Sequence, residues 1–77
     1  MKTMIKTLKL FHNIKRFYKI FGDYIDSNPN PIKLRDIKSH DFLLGVQFDL
    51  FEAIGNTTDP MNIWLIKIAH QINNIIL

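Results

Sequence analysis

The residues with the clearest chemical character are the cations at the start of the chain. Six lysines and arginines fall within the first nineteen residues: Lys2, Lys6, Lys9, Lys15, Arg16 and Lys19. His12 lies among them, and the first acidic residue is Asp23. The net charge of +3 is therefore concentrated at one end. Because ammonium and guanidinium groups attract phosphates and carboxylates, this segment predicts contact with an anionic partner.

The candidate partner-binding or nucleic-acid-binding residues are Lys2, Lys6, Lys9, Arg16 and Lys19, here named the basic face. Phe11, Phe17 and Tyr18 are interspersed with them, and aromatic rings between cations are typical of proteins that track a phosphate backbone and stack on bases. An acidic protein surface or an anionic membrane surface would suit the same charges. The fourth interpretation is a solvated outer face of a packed helix. The charge pattern leaves all four open.

Residues that serve nucleophilic, metal or phosphate chemistry stand alone in this chain. Cysteine is absent, and no two histidines share a metal-binding spacing. The isolated histidines and glycines are His12, His40, His70, Gly22, Gly45 and Gly55. Ser27 and Ser39 fit turn and helix-cap positions better than the role of an activated nucleophile. We therefore expect no enzyme, no cofactor, no metal and no small-molecule substrate.

Three acidic residues, Asp41, Asp49 and Glu52, form a narrow polar strip on an otherwise apolar segment. They remain solvated, meet the basic face within one molecule or between two, or mark a partner site; we favour a solvated strip or a contact within one molecule. Exposed ion pairs of this kind contribute only about 0.2–1 kcal/mol each.

The composition favours one small helical domain over residues 1–77. A hydrophobic fraction of 47% argues against disorder. Without disulfides, a chain of this length depends on dense helix packing or on association with another chain. The 13 isoleucines and 8 lysines against 2 alanines and 2 arginines indicate an AT-rich genome, such as that of a phage. Charges interrupt every apolar run, so we expect no membrane span and a cytoplasmic location.

Apolar periodicity predicts an all-α bundle of three long helices, at about 3–25, 40–54 and 60–76, plus one short helix at about 31–38. In the first helix the predicted buried stripe recurs at spacings of three and four: Met4, Leu8, Phe11, Ile14, Tyr18, Phe21 and Ile25. Residues 27–31, with two prolines, end that helix. Asn30 then fits an N-cap before Pro31, and Ile32, Leu34 and Ile37 form a short buried side. A strand over the same residues is the competing interpretation.

The second and third long helices carry clear start signals. Ser39 is the predicted N-cap of the helix at 40–54, and apolar residues surround that helix almost completely, which predicts a buried helix. Asp59-Pro60 predicts the start of the last helix. Its predicted buried side is Met61, Trp64, Leu65, Ile68, Ile72, Ile75 and Ile76. A solvated amide-rich side is expected opposite, with Asn62, Gln71, Asn73 and Asn74.

Apolar residues outside these stripes suggest an interface. Ile5, Ile20, Ile63 and Ile66 fall among polar positions, and a monomer of 77 residues has little surface with which to cover them. We therefore expect a protein partner or self-association, and a small intracellular interaction module such as a phage-encoded inhibitor or adaptor of a host protein. A nucleic-acid-binding protein that uses the basic face is the alternative. A structural subunit of a larger assembly is a further one.

Overall fold

The predicted all-α bundle is confirmed by the computed structural model. It describes the chain except Met1, Tyr24, residues 26–28, Asn30 and Leu77, and it describes residues 2–4 by their backbone alone. Its elements are α1 (Lys2–Phe21), a 3-10 helix (Leu34–Lys38), α2 (His40–Gly55) and α3 (Asp59–Ile76). The described residues include no strand, so the strand interpretation of the short segment is wrong. The predicted turn residue Ser27 and the predicted N-cap Asn30 lie outside the described residues.

The buried side of α1 is rotated from the predicted stripe. Leu10, Ile14 and Phe17 are fully buried, whereas Leu8 is 44% exposed. At about 100° per residue, Leu8 lies about 120° from Ile14 around the helix and Leu10 only about 40°. The prediction that Leu8 is buried is therefore wrong, because α1 packs against α3 and the 3-10 helix through the side that carries Leu10 and Phe17.

Helix α1 ends at Phe21, four residues before the predicted end at Ile25. Gly22 follows, and glycine costs about 1 kcal/mol more than alanine in a helix interior. The chain nevertheless makes one more turn, since the Ile25 amide donates to the Phe21 carbonyl over 3.1 Å. Ile25 is thereby buried in the core, as predicted.

The short helix is a 3-10 helix and begins three residues after the predicted start at Pro31. The Lys33 amide donates to the Asp36 carboxylate over 2.9 Å, which satisfies one donor at its first turn. Ile37 is fully buried between α1 and α2, but Leu34 is exposed, contrary to the prediction. The 3-10 helix therefore contributes one side chain, Ile37, to the core.

The N-cap of α2 is confirmed: the Ser39 Oγ accepts from the Phe42 amide over 3.3 Å. Helix α2 ends at Gly55, one residue after the predicted end, and the Asn56 side chain donates to the Glu52 carbonyl over 2.9 Å. The last helix α3 starts at Asp59, next to the predicted Asp59-Pro60 boundary. A side-chain cap thus marks the start of α2, and α3 begins at the residue before Pro60.

One core joins α1, α2, α3 and the 3-10 helix. Its fully buried aliphatic and aromatic side chains are Leu10, Ile14, Phe17, Ile37, Leu43, Leu50, Leu65, Ile68 and Ile72. Met61 lies at the start of α3 and is exposed, contrary to the predicted stripe, while Trp64, Ile75 and Ile76 are half-buried.

The expectation that α2 is buried all round is wrong. Leu43, Val46 and Leu50 face the core, but Phe48 is 75% exposed and Phe51 is 59% exposed. The cause is the number of elements: α3 and the 3-10 helix cover one side of α2. The opposite apolar side of α2 remains on the surface.

Candidate protein interface

A buried glutamine sets the register between α2 and α3. The Gln47 Nε2 donates to the Ala69 carbonyl over 3.3 Å and to the Asn73 Oδ1 over 2.7 Å. The two helices follow each other through a short loop and run antiparallel. With a rise of about 1.5 Å per residue, this bond places Phe51 near the level of Ile66.

Five exposed apolar side chains share one side of the α2–α3 pair. They are Leu44 (48% exposed), Phe48 (75%), Phe51 (59%), Ile63 (71%) and Ile66 (44%), here named the α2–α3 face. On α2 the spacing 44, 48, 51 is that of one helix stripe. On α3, positions 63 and 66 lie on the same flank as Asn73, which bonds to Gln47 of α2. The two stripes therefore adjoin.

Contacts of α1 show that this face lies on the far side of the bundle. The Arg16 guanidinium lies 5.8 Å from the centre of the Trp64 ring, and Asn13 donates to Gln71 over 3.0 Å. Trp64 and Gln71 occupy the flank of α3 opposite to Ile66, at about 100° per residue. Helix α1 therefore covers the other side of α3 and leaves the α2–α3 face open.

The size of this face is that of the largest apolar patch on a typical monomer. A buried aromatic side chain covers about 150–250 Å², so the five partly exposed side chains together offer on the order of 500 Å² of apolar surface. The largest apolar patch on a typical monomer is about 300–600 Å² and often marks a function. The radius of gyration of 11.7 Å is close to the roughly 11.5 Å of a compact domain of this length. The face is exposed although the chain is fully collapsed.

Four residues of the basic face, Lys6, Lys9, Arg16 and Lys19, are exposed on α1. The side chain of Lys2 lies outside the described residues. Lys6 and Lys9 line an open cleft of about 670 Å³ together with Lys38 and His40, whereas Arg16 and Lys19 line another cleft of about 810 Å³. The structure thus divides the basic face between two ends of α1 and adds Lys38 at one end.

The four isoleucines predicted at an interface are all exposed, but on two different surfaces. Ile63 and Ile66 belong to the α2–α3 face. Ile5 and Ile20 lie on α1 among the cations of the basic face, and Ile20 lines a cleft with Met61 at the start of α3. The sequence therefore indicated two of the five residues of the apolar face and missed its aromatic members, which are on α2.

The acidic strip and the amides have separate roles. Asp49 accepts a hydrogen bond from the Tyr18 hydroxyl and so ties α2 to α1 through a tyrosine, while Asp41 and Glu52 lie exposed on α2. Asn62 bonds to Thr57 in the loop before α3. Together with Asn13–Gln71 and Gln47–Asn73, these bonds use three amides that the sequence suggested were solvated. They position the helices.

The part of the chain that the structure describes holds no group of three or more histidines and carboxylates arranged for a metal ion. Within the same residues, every helix is too short or too polar to cross a bilayer. No protein-family model, curated protein or solved structure matches this chain.

The residues that the sequence interpretation missed are Leu44, Phe48 and Phe51. The available signal was the apolar circumference of α2 in a chain with only two other long helices. One side of such a helix must face solvent or another molecule. A prediction from the apolar pattern alone, which does not consider how many helices can cover α2, favours burial of all its sides.

Proposed function

We propose that the protein is a small intracellular, non-enzymatic interaction module that binds another protein chain through the α2–α3 face. The observation that carries the proposal is the exposure of Phe48, Phe51 and Ile63 on one contiguous surface. Aromatic residues are enriched at the centres of protein interfaces and supply most of their binding energy. A surface that contacts only water gains no binding energy from exposed aromatic side chains.

The basic face lies apart from the proposed contact surface. Its exposed cations lie on α1, on the other side of the bundle from the α2–α3 face. Electrostatic steering brings the charged surface itself toward its partner, so these cations do not direct the α2–α3 face toward an acidic protein. The nucleic-acid alternative uses the same charges but assigns no role to Phe48 or Phe51.

Affinity capture with matched variants tests the proposal. Wild-type protein, Phe48→Ser and Leu8→Ser are immobilised and exposed to nuclease-treated lysate of the source cells. Leu8→Ser is the control, because it removes an exposed apolar side chain from α1 rather than from the face. We expect the same protein band on wild type and Leu8→Ser and at least about a tenfold loss on Phe48→Ser, as at an interface hot spot.

Two results would argue against the proposed function. Equal capture by all three columns would place binding elsewhere on the molecule. Bands that disappear with nuclease treatment would favour the nucleic-acid alternative, and salt-dependent retention on duplex DNA would then identify the phosphates as the ligand.

A further inference from the structure

We infer that the occupant of the α2–α3 face is a second copy of this chain, which forms a two-fold symmetric dimer. The inference rests on the proposed function and names its partner. It is argued from the area of the face and from the distribution of charge at its two edges.

The area of the face matches half of a small dimer interface. Stable interfaces bury about 800 Å² on each partner, with a more apolar centre and a polar rim. The five apolar side chains provide on the order of 500 Å² of that centre. The exposed polar residues beside them, Glu52 on α2 and Lys67 and His70 on α3, complete a rim.

The two edges of the face carry opposite charges. Beyond Phe48, the outer edge of α2 presents the exposed carboxylates of Asp41 and Glu52. Beyond Ile63, the outer edge of α3 presents the exposed ammonium group of Lys67. These assignments follow from about 100° per residue on each helix. The acidic edge thus carries Asp41 and Glu52 and the basic edge carries Lys67, so the face is complementary to itself through Glu52 and Lys67.

This polarity selects one of two symmetric arrangements. A two-fold axis parallel to the helices places α2 of one copy on α3 of the other, so that each acidic edge lies over a basic edge. A two-fold axis that lies in the face and perpendicular to the helices would place the acidic edge of one copy on the acidic edge of the other. In the favoured arrangement the Gln47 register brings Glu52 of one copy within about two residues' rise, or roughly 3 Å, of the level of the other copy's Lys67.

Sedimentation equilibrium over a concentration series tests the dimer. We expect wild type to approach twice its 9.1 kDa mass as concentration rises. Phe48→Asp should raise the dissociation constant at least about 30-fold, since it replaces the most exposed apolar side chain of the face by a charge. Leu8→Asp is the matched control on α1 and should dimerise like wild type. Far-UV circular dichroism checks that both variants retain their helix content.

Charge exchange tests the arrangement. Glu52→Lys and Lys67→Glu should each raise the dissociation constant about 3–10-fold, and the double exchange should restore it to within about twofold of wild type. Dimerisation that does not respond to Phe48→Asp, or a double exchange that fails to restore it, would overturn the inference. A monomer at all concentrations that still captures another protein through Phe48 would also overturn it, and would leave the proposed function intact. A monomer that captures nothing would contradict both.

Discussion

Leu10→Ala is expected to destabilise the monomer by about 3–4 kcal/mol. The Leu10 side chain of α1 is fully buried in the core. Its truncation loses the free energy gained by removing the side chain from water and leaves a cavity. A domain of this length has a total free energy of unfolding of about 4–12 kcal/mol. The variant should therefore lose a large share of its stability. Urea denaturation followed by far-UV circular dichroism measures the change at a concentration below dimerisation.

Leu8→Ala is the matched control, two residues away on the same helix. Leu8 is 44% exposed, so we expect a loss below about 1 kcal/mol. Comparing the two variants tests which side of α1 faces the core. The apolar stripe predicted from the sequence would make Leu8→Ala the more destabilising substitution. A larger loss for Leu8→Ala than for Leu10→Ala would show that α1 packs through a different side.

Gln47→Glu is expected to destabilise the bundle by about 2–4 kcal/mol at pH 7. The substitution keeps the shape of the side chain but replaces the Nε2 donor, which bonds to the Ala69 carbonyl and the Asn73 Oδ1, by a charged acceptor. The new carboxylate oxygen would then face the Ala69 carbonyl oxygen and the Asn73 Oδ1 in a buried position. The same urea titration measures the loss, with wild type at each pH as reference.

The pH dependence identifies the cause of that loss. Burial raises the pKa of the new carboxyl above that of an exposed glutamate, so the folded state keeps its proton to higher pH than the unfolded state does. The deficit should therefore be complete at pH 7 and shrink as the pH falls toward about 4. Gln47→Met is the uncharged control. It removes the unpaired Gln47 Oε1 together with the Nε2 donor, and its loss of stability, about 1–3 kcal/mol, should be independent of pH. A pH-independent loss in Gln47→Glu would rule out a buried charge as its origin.

The sequence was most informative where structure depends on neighbouring residues. The Ser39 cap depends on one side chain bonding to the nearby backbone and the boundary at Asp59-Pro60 on one proline, and the structure begins α2 and α3 at these positions. The end of α1 was placed too late, because the apolar spacing continues to Ile25 through a turn that is no longer helix.

The sequence was least informative where orientation depends on the number of packing partners. Helix α2 has apolar residues on nearly every side, so its pattern does not predict which side faces the core. Only the assembled bundle shows that Leu43 and Leu50 face inward while Phe48 faces outward. The same limit applies to Gln47, whose burial depends on the register of α3 and on no feature of α2 alone.

The central claim is that this protein acts through contact between its α2–α3 face and another protein chain. The most direct measurement is photo-crosslinking in the cells that express it, with a benzophenone amino acid in place of Phe48 and, as the matched control, in place of Leu8. We predict a light-dependent protein adduct from position 48, at twice the mass of the 9.1 kDa chain, and none from position 8. No protein adduct from position 48, or adducts of equal yield from both positions, would contradict the account.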